Sequence, residues 1–453
     1  MIDVIAIFDI GKTNKKVLLF NQDLSVVSQH EQSFDEIKDD DGVSCDDISK
    51  IENWMHQTIQ NIIDEKKFNI KAINFATYGA SLAYLDKDSK RLTPVYNYLK
   101  PMPTSVLEGF YERYGGVGEF CRKTASPASG MLNSGLQILW LKKTKPEIFA
   151  KVKHILHFPQ YLSFCFTGEI VSEYTSIGCH TSMWDFDGKK YHIWLKDHGI
   201  ELPVPISNST TFPVQINGKS IPVGIGIHDS SSSLVPYFAS TSDKFILMST
   251  GTWCVSMNPF NEETLTDEQL SKDALCYLSV QQKPVKSSRI FLGHIHQVNA
   301  KRIADSFGVA EDFFKKVKIN EVLLKSMMKG DKKFFKNGQP KDYVDNDINI
   351  KQFSSVEEAY HQMVVDLARL AMGGLDLITP KKNDTKSIFI SGGFARNEIF
   401  VRLIATWMPG INVYTSEMDN STALGAALSV WDKAFNNIPK SDLGLKEIHP
   451  IIY

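Results

Sequence analysis

The sequence predicts an α/β protein built from two layered domains, and three observations carry that prediction. At 453 residues the chain exceeds what a single hydrophobic core ordinarily organises. Apolar strands alternate with amphipathic helices along its first third, the pattern of a layered α/β sheet. A strand–glycine bend–strand unit at Ile5–Phe20 recurs in outline at Phe245–Met257, as a duplicated architecture would require.

The length argues for two cores, and the text "YFASTSDKF" around residue 240 reads as the boundary between them. The expected domains are therefore residues 1–240 and 241–453. Composition is that of a globular protein, 43% hydrophobic and 23% charged, with a formal net charge of −2. So even a balance gives no electrostatic footing for nucleic acid or an anionic membrane surface. No apolar run approaches a transmembrane helix. The opening "MIDVIAIFDI" has an acid and no basic lead-in, so it does not read as a secretory signal. Six cysteines, at 45, 121, 165, 179, 254 and 276, form no C-x-x-C pair and read as reduced packing residues of a cytoplasmic protein. The histidine pairs His154/His157 and His294/His296 lack the helix-spaced H-E-x-x-H arrangement, so no zinc site is expected.

Along the chain, "IAIFDIGKTNKKVLLF" reads as a β-hairpin whose bend holds more chemistry than a connection needs. Gly11 is free to adopt angles closed to other residues, letting backbone N–H groups converge on an anion. Thr13 and Asn14 add donors, Lys12, Lys15 and Lys16 add charge, and Asp9 would repel a phosphate unless a divalent cation stood between them. A metal–nucleotide phosphate clamp and an ordinary charged hairpin both fit this stretch. Next, "ISKIENWMHQTIQNIIDE" has Ile51, Trp54, Met55, Ile59 and Ile62 at helical spacing, and "IKAINFATYGASLAYLD" reads as a strand interrupted at Tyr78-Gly79. "LNSGLQILWLKKTKPEIFAKVKHILHFPQYLSFCFTG" is expected to be mostly helical, and residues 200–224, rich in Pro, Ser, Thr and Asn, to be loose.

In the second half, "FILMSTGTWCVSMN" forms the second hairpin, with Gly251 and Thr252 in its bend. "MMKGDKKFFKNGQPKDYVDND" reads as an exposed loop and "SVEEAYHQMVVDLARLAMGGLDLI" as a long buried helix. "SIFISGGFARNEIFVRLIATWM" reads as a strand passing through Gly392-Gly393 into a helix, where backbone can approach a ligand. "DNSTALGAALSVW" begins a helix of small residues. The segment "VGIGIHDSSSSLVPYFA" delivers His228 and Asp229 at the end of a strand, where open α/β sheets place their ligands. Asp229 reads either as a helix cap or as a functional carboxylate; Ser230 to Ser233 already offer cap hydroxyls, which favours function.

With these segments in this order, the chain resembles the FGGY carbohydrate kinases of the actin/sugar-kinase ATPase superfamily over essentially its whole length. "FDIGKTN" resembles the family's first phosphate loop and "GIHDSSSS" its segment with the catalytic aspartate. "STGTW" is similar to the second phosphate hairpin, and "SGGFARNEIFVRLIA" with "STALGAA" to the adenosine region. The family's central N-domain signature is matched by "LQILWLKKTKPEIFAKV" and "FPQYLSFCFTGEIVSEYTSIG". The chain departs in placing Lys12 after Gly11, where relatives usually have Thr or Ala. It also reads "YNYLKP" where relatives carry W-x-D or R-D-x-R in the sugar-contacting loop.

The resemblance implies two ribonuclease-H-like domains with a nucleotide and sugar cleft between them, ATP and Mg²⁺ as cofactors, and a small ketose as partner. It implies Asp229 as the base and Asp9 as the metal residue. Gly79, His228, Ser230 and His294 would contact the sugar; Gly11, Lys12, Thr13, Asn14, Gly251, Thr252, Gly392, Gly393 and Asn397 would contact the nucleotide. The His-Asp pair with "EYT" and "STGTW" looks most like L-rhamnulose kinases, with L-fuculose and pentulose kinases as alternatives. An actin-like ATPase without sugar transfer is the rival class, and it has no use for a sugar-facing base. A monomer or homodimer, with neither nucleic acid nor membrane, completes the expectation.

Overall fold

A computed structural model describes residues 1–336, 338, 340, 343, 349–418, 420–438 and 443–452. Two seven-stranded sheets dominate it. In the first, Ile2–Ile10 and Lys15–Phe20 form the N-terminal hairpin, Val26–Gln32 extends it antiparallel, and Phe68–Thr77 joins the other side of Ile2–Ile10 in parallel. In the second, Phe245–Thr250 and Cys254–Asn258 form the hairpin, Pro284–Ile290 extends it antiparallel, and Ser387–Gly392 lies parallel to Phe245–Thr250. The same connection is thus built twice, as the recurrence in the sequence predicts. The matching parallel strands carry their ends, Thr77 and Gly392, to the same edge as the two glycine bends.

Burial follows from composition. Ile2–Ile10 is buried from Val4 to Phe8, the signature of a strand covered on both faces. One face meets Ile48–Asp64, an amphipathic helix capped by Asp47, which buries Ile51, Met55, Ile59 and Ile62 there. The other face, through Ile5, Ile7, Leu18 and Ala72, meets Ala423, Leu424, Ala426 and Ala427 of the helix Ser421–Leu428. That small-residue helix belongs to the second half of the chain, so it joins the two halves. Its Gly425 lies against the first half so closely that a Cβ would stand 1.9 Å from the Ser232 carbonyl oxygen. Asn74 Nδ2 donates to the Ala426 carbonyl at 2.9 Å and Ser232 Oγ to that of Thr422 at 2.7 Å, satisfying polar groups inside the seam.

Several expectations change. Residues 200–224 are not loose throughout: Thr211–Ile216 and Lys219–Gly224 pair as a hairpin at the sheet edge. Pro213 and Pro222 hid it, since proline argues against a strand except at an edge. The Asn217-Gly218 turn, with φ of +49° and +77°, carried the hairpin signal all along. "HILH" is a strand, His154–His157, paired with Leu82–Leu85, within the expected helical stretch. The exposed loop of residues 327–347 lies partly outside the described residues. Where described, Met327–Lys329 end a helix, and Phe334 and Phe335 are buried, their N–H groups bonded to Asp366 Oδ2. The long helix Val356–Ile378 is as expected, capped by Ser355. Gly392-Gly393 does not open directly into a helix, because a 3₁₀ turn over Gly393–Arg396 intervenes before Glu398–Trp407. Among the described residues, no helix is long and apolar enough to cross a membrane, and all six cysteines are free.

Candidate active site

The short strand Ile227–His228 pairs with the end of Phe68–Thr77 and stops at Asp229, the first residue of the turn of helix Asp229–Ser232. The residue at the capping position is His228, and it makes no side-chain cap bond, so the capping role considered for Asp229 is not the one it has here. The Asp229 carboxylate is 39% exposed, while His228 is almost fully buried, its Nε2 lying 3.2 Å from Asp229 Oδ1. Ser230 N–H also donates to Oδ1, at 2.6 Å, with Ser230 Oγ at 3.3 Å. Gly79 belongs here because a Cβ on it would stand 2.8 Å from His228 Cδ2. His228 N–H donates to Thr175 Oγ1 at 3.1 Å, and that hydroxyl donates to Glu173. The fully buried Glu173 also takes the N–H groups of Thr175 and Ser176, each at 2.6 Å, and Asn208 Nδ2 at 2.6 Å. Glu173 and Thr175 therefore fix the His228 backbone. The "EYT" text signalled them, though not their role.

The first bend is closed by Gly11 N–H donating to the Asn14 carbonyl at 2.9 Å. Gly11 is not in the left-handed region. It is glycine because a Cβ would press to 3.1 Å on that same oxygen, which corrects the expectation of unusual backbone angles. Thr13 and Asn14 are exposed. Lys12 does not point free into the cleft: its ammonium bonds Glu36 at 2.8 Å and Asp46 at 3.0 Å. Burial opposes its charge, but the bonds to Glu36 and Asp46 outweigh that and hold Lys12 above its ordinary value. Lys15, nearly inaccessible, meets the other oxygen of Asp46 at 2.9 Å, and Tyr78 OH donates to Asp46 at 2.8 Å. Asp46, which the sequence reading did not single out, thus ties the first bend to the residue before Gly79. Asp9 sits opposite Lys16 in the hairpin register. Burial, and then the Asp229 carboxylate, raise Asp9 to about 6 against the pull of Lys16. That influence places the first bend and Asp229 within electrostatic reach of each other.

On the other side, Gly251 N–H closes the second bend onto the Trp253 carbonyl at 2.7 Å. Thr250 Oγ1 donates to the Ser391 carbonyl and accepts from Phe394 N–H at 3.0 Å. Gly392 has φ +82°, and a Cβ there would fall 1.8 Å from the Thr250 carbonyl oxygen, so only glycine fits. Gly251, Thr252, Gly392 and Gly393 are thereby brought together, all exposed. His294, expected to contact the sugar, lies next to the second bend: its N–H reaches the Thr252 carbonyl at 3.4 Å and its ring packs on Phe291 and Tyr343. Asn397 caps the helix Glu398–Trp407 through Phe400 N–H and donates to Tyr360 OH at 2.9 Å, so both ends of its amide are engaged. Among the described residues, the one cluster with metal-ligand spacing is Asp39, Asp40 and Asp41. Its carboxylates are matched by Lys100 and Lys145.

Two like-built halves, each with a glycine bend between its first paired strands, define the class of fold: a mixed α/β protein of two domains built on one plan. The solved xylulose kinase from Lactobacillus acidophilus superposes with a TM-score of 0.78, covering 99% of this chain and 94% of that one, at 17% identity, which speaks to fold alone. Residues 4–201 match the N-terminal domain of the FGGY family of carbohydrate kinases, and residues 242–438 match the carbohydrate kinase FGGY C-terminal domain. The chain belongs to the FGGY family of carbohydrate kinases. It is 26% identical over 242 residues to a rhamnulokinase of Yersinia pestis (strain Pestoides F), a match spanning 52% of this chain and about half, 48%, of that protein. A rhamnulokinase of Halalkalibacterium halodurans is 23% identical over 451 residues, covering 93% of this chain and 90% of that one.

Proposed function

We propose that the protein transfers the γ-phosphoryl group of ATP to a primary hydroxyl of a ketose, with L-rhamnulose as the substrate. The observation that carries this reading is register: Ile10 and His228 both pair with Thr77, so the strands that carry Asp9 and lead into Asp229 finish at one edge of the sheet, a candidate metal-holding carboxylate near a candidate base. The two rhamnulokinase relatives and the His228-Asp229 pair support the choice of sugar. Residues 1–240 form the sugar side of this scheme and residues 241–453 the nucleotide side.

Phosphoryl transfer asks the protein for positioning, charge neutralisation and a base. Among the described residues the polar contacts to Asp229 fall on Oδ1, so Oδ2 is the atom offered to a substrate hydroxyl, whose proton it would take as the oxygen attacks phosphorus. His228 orients that carboxylate and is itself held by Thr175 and Glu173. Gly251, Thr252, Gly392 and Gly393 leave room for backbone contact with the nucleotide. Asp9 is the residue that would hold Mg²⁺, and the fit is chemical, since a buried carboxylate burdened by a second one gains from a neighbouring cation. When bound, the ion neutralises triphosphate charge. Lys12 would reach a phosphate only by exchanging Glu36 and Asp46 for it.

Coupled ADP release on a panel of L-rhamnulose, L-fuculose, xylulose and ribulose tests the reading. ADP formation dependent on a ketose, greatest with L-rhamnulose, is expected. ADP release indifferent to every sugar would return the chain to the actin-like ATPase class.

A further inference from the structure

Beside Gly79, His228 and Asp229 lies a set of buried polar atoms for which the described residues supply no partner. His228 is 6% exposed and Gln137 fully buried. Among the described residues, His228 Nδ1, Gln137 Oε1 and the buried Nδ1 of His180 find no hydrogen-bond partner. Leaving a buried polar atom unpaired is unfavourable, and three around one place require an explanation. The helix Ser134–Thr144 gathers them. Its Gln137 Nε2 donates to the carbonyl of Ala80, next to Gly79, at 2.8 Å. Ser134 Oγ lies 3.2 Å from His157 Nε2, and Asn133, just before the helix, donates to the His180 carbonyl at 2.8 Å. His180 is held at φ +46°, a conformation bulky side chains rarely adopt. Burial, with the nearby His228, pushes His157 and His180 down to about 3, so both imidazoles are neutral at physiological pH.

We propose that His180 and Gln137, beside His228, form an uncharged wall that hydrogen-bonds ketose hydroxyls other than the one phosphorylated, and that this wall selects a neutral polyol over a sugar acid. The inference rests on the kinase reading and extends it to specificity. A neutral imidazole nitrogen and an amide oxygen can each pair with a hydroxyl. The guanidinium acting on His180, that of Arg289, is already forked onto Asp273 at 2.7 and 3.0 Å. At His180 and Gln137 a substrate carboxylate would therefore meet neutral groups and leave water without compensation.

The test compares wild-type protein with His180→Asn, since asparagine tolerates the left-handed conformation that His180 adopts. The panel above is extended with gluconate. Wild type should use a ketose and not gluconate. His180→Asn should raise the KM for that ketose by about tenfold, the loss of one neutral hydrogen bond, while the Kd for ATP stays within about twofold, a change well below that bond's worth. A variant with unchanged ketose KM, or a wild type that prefers gluconate, overturns the proposal. A wild type active on no sugar would take down the kinase reading as well, which separates the two failures. Imidazole ¹⁵N shifts on adding the ketose to intact wild-type protein give a reading independent of any variant's folding. A shift of the His180 nitrogen is expected, and none would also overturn the proposal.

Discussion

Replacing Asp9 by asparagine should make the ligand-free protein more stable while destroying its use of nucleotide. Asp9 is moved from 3.8 to about 6 by burial and by Asp229, with Lys16 only partly offsetting them. Holding it ionised in the native state therefore costs about 3 kcal/mol at 1.36 kcal/mol per tenfold change, and solvent screening in the cleft lowers that to about 2. A group whose folded value lies above its unfolded one favours the native state only while protonated. That contribution is whole below the unfolded value and is lost as pH rises through the folded one. The penalty is thus complete above about pH 6 and absent below 3.8, in line with the raised value. Asp9→Asn, isosteric and uncharged, removes it. Thermal melts at pH 8 should show the variant higher by several degrees, at about 2–4 °C per kcal/mol for domains near this size. The difference should shrink to a small fraction at pH 4, near the unfolded value of 3.8. Mg²⁺ with ADP should then raise the wild-type Tm more than the variant's, because only the wild type gains a counter-ion for its carboxylate. A variant with equal or lower Tm at pH 8, or a gain that grows on acidification, would refute the electrostatic account of Asp9.

Asp229→Asn should keep ATP affinity, and its Tm should hold or rise because the removed charge burdens Asp9, while kcat falls by about 10²–10⁴-fold; a kcat above about a tenth of wild type would remove Asp229 from the mechanism, given that expected loss. Gly79→Ala drives a methyl group to 2.8 Å from His228 Cδ2, so the KM for ketose should rise with that for ATP unaltered, and equal rises in both would show a general loosening instead. Lys12→Ala should raise the KM for ATP in steady-state assays with the fold intact; if kcat and KM stay as they were, Lys12 serves only its bonds to Glu36 and Asp46. Gly425→Ala places a Cβ 1.9 Å from the Ser232 carbonyl, and overpacking of that kind should lower stability by about 1–3 kcal/mol in denaturant titration.

The sequence by itself determined the local grammar of this protein. Hydrophobic periodicity marked Ile48–Asp64 and Val356–Ile378 as helices, because an amphipathic or buried face repeats within a few residues. The two glycine bends, and the strand that ends at His228-Asp229, were legible for the same reason, since each is a contiguous run. What the tertiary structure alone decided are the pairings between distant residues. Asp46 with Lys12, Lys15 and Tyr78 is one, and Thr175 under His228 is another. The seat of His294 on the second hairpin and the engagement of Asn397 as a cap belong there too. Only the packed structure showed that "STALGAA" is the seam between halves, its small residues admitting a helix onto the first sheet. A charged side chain carries no mark of its partner in its own neighbourhood of sequence. Which carboxylate meets which lysine is settled by sheet register and helix docking, and those are properties of the whole chain.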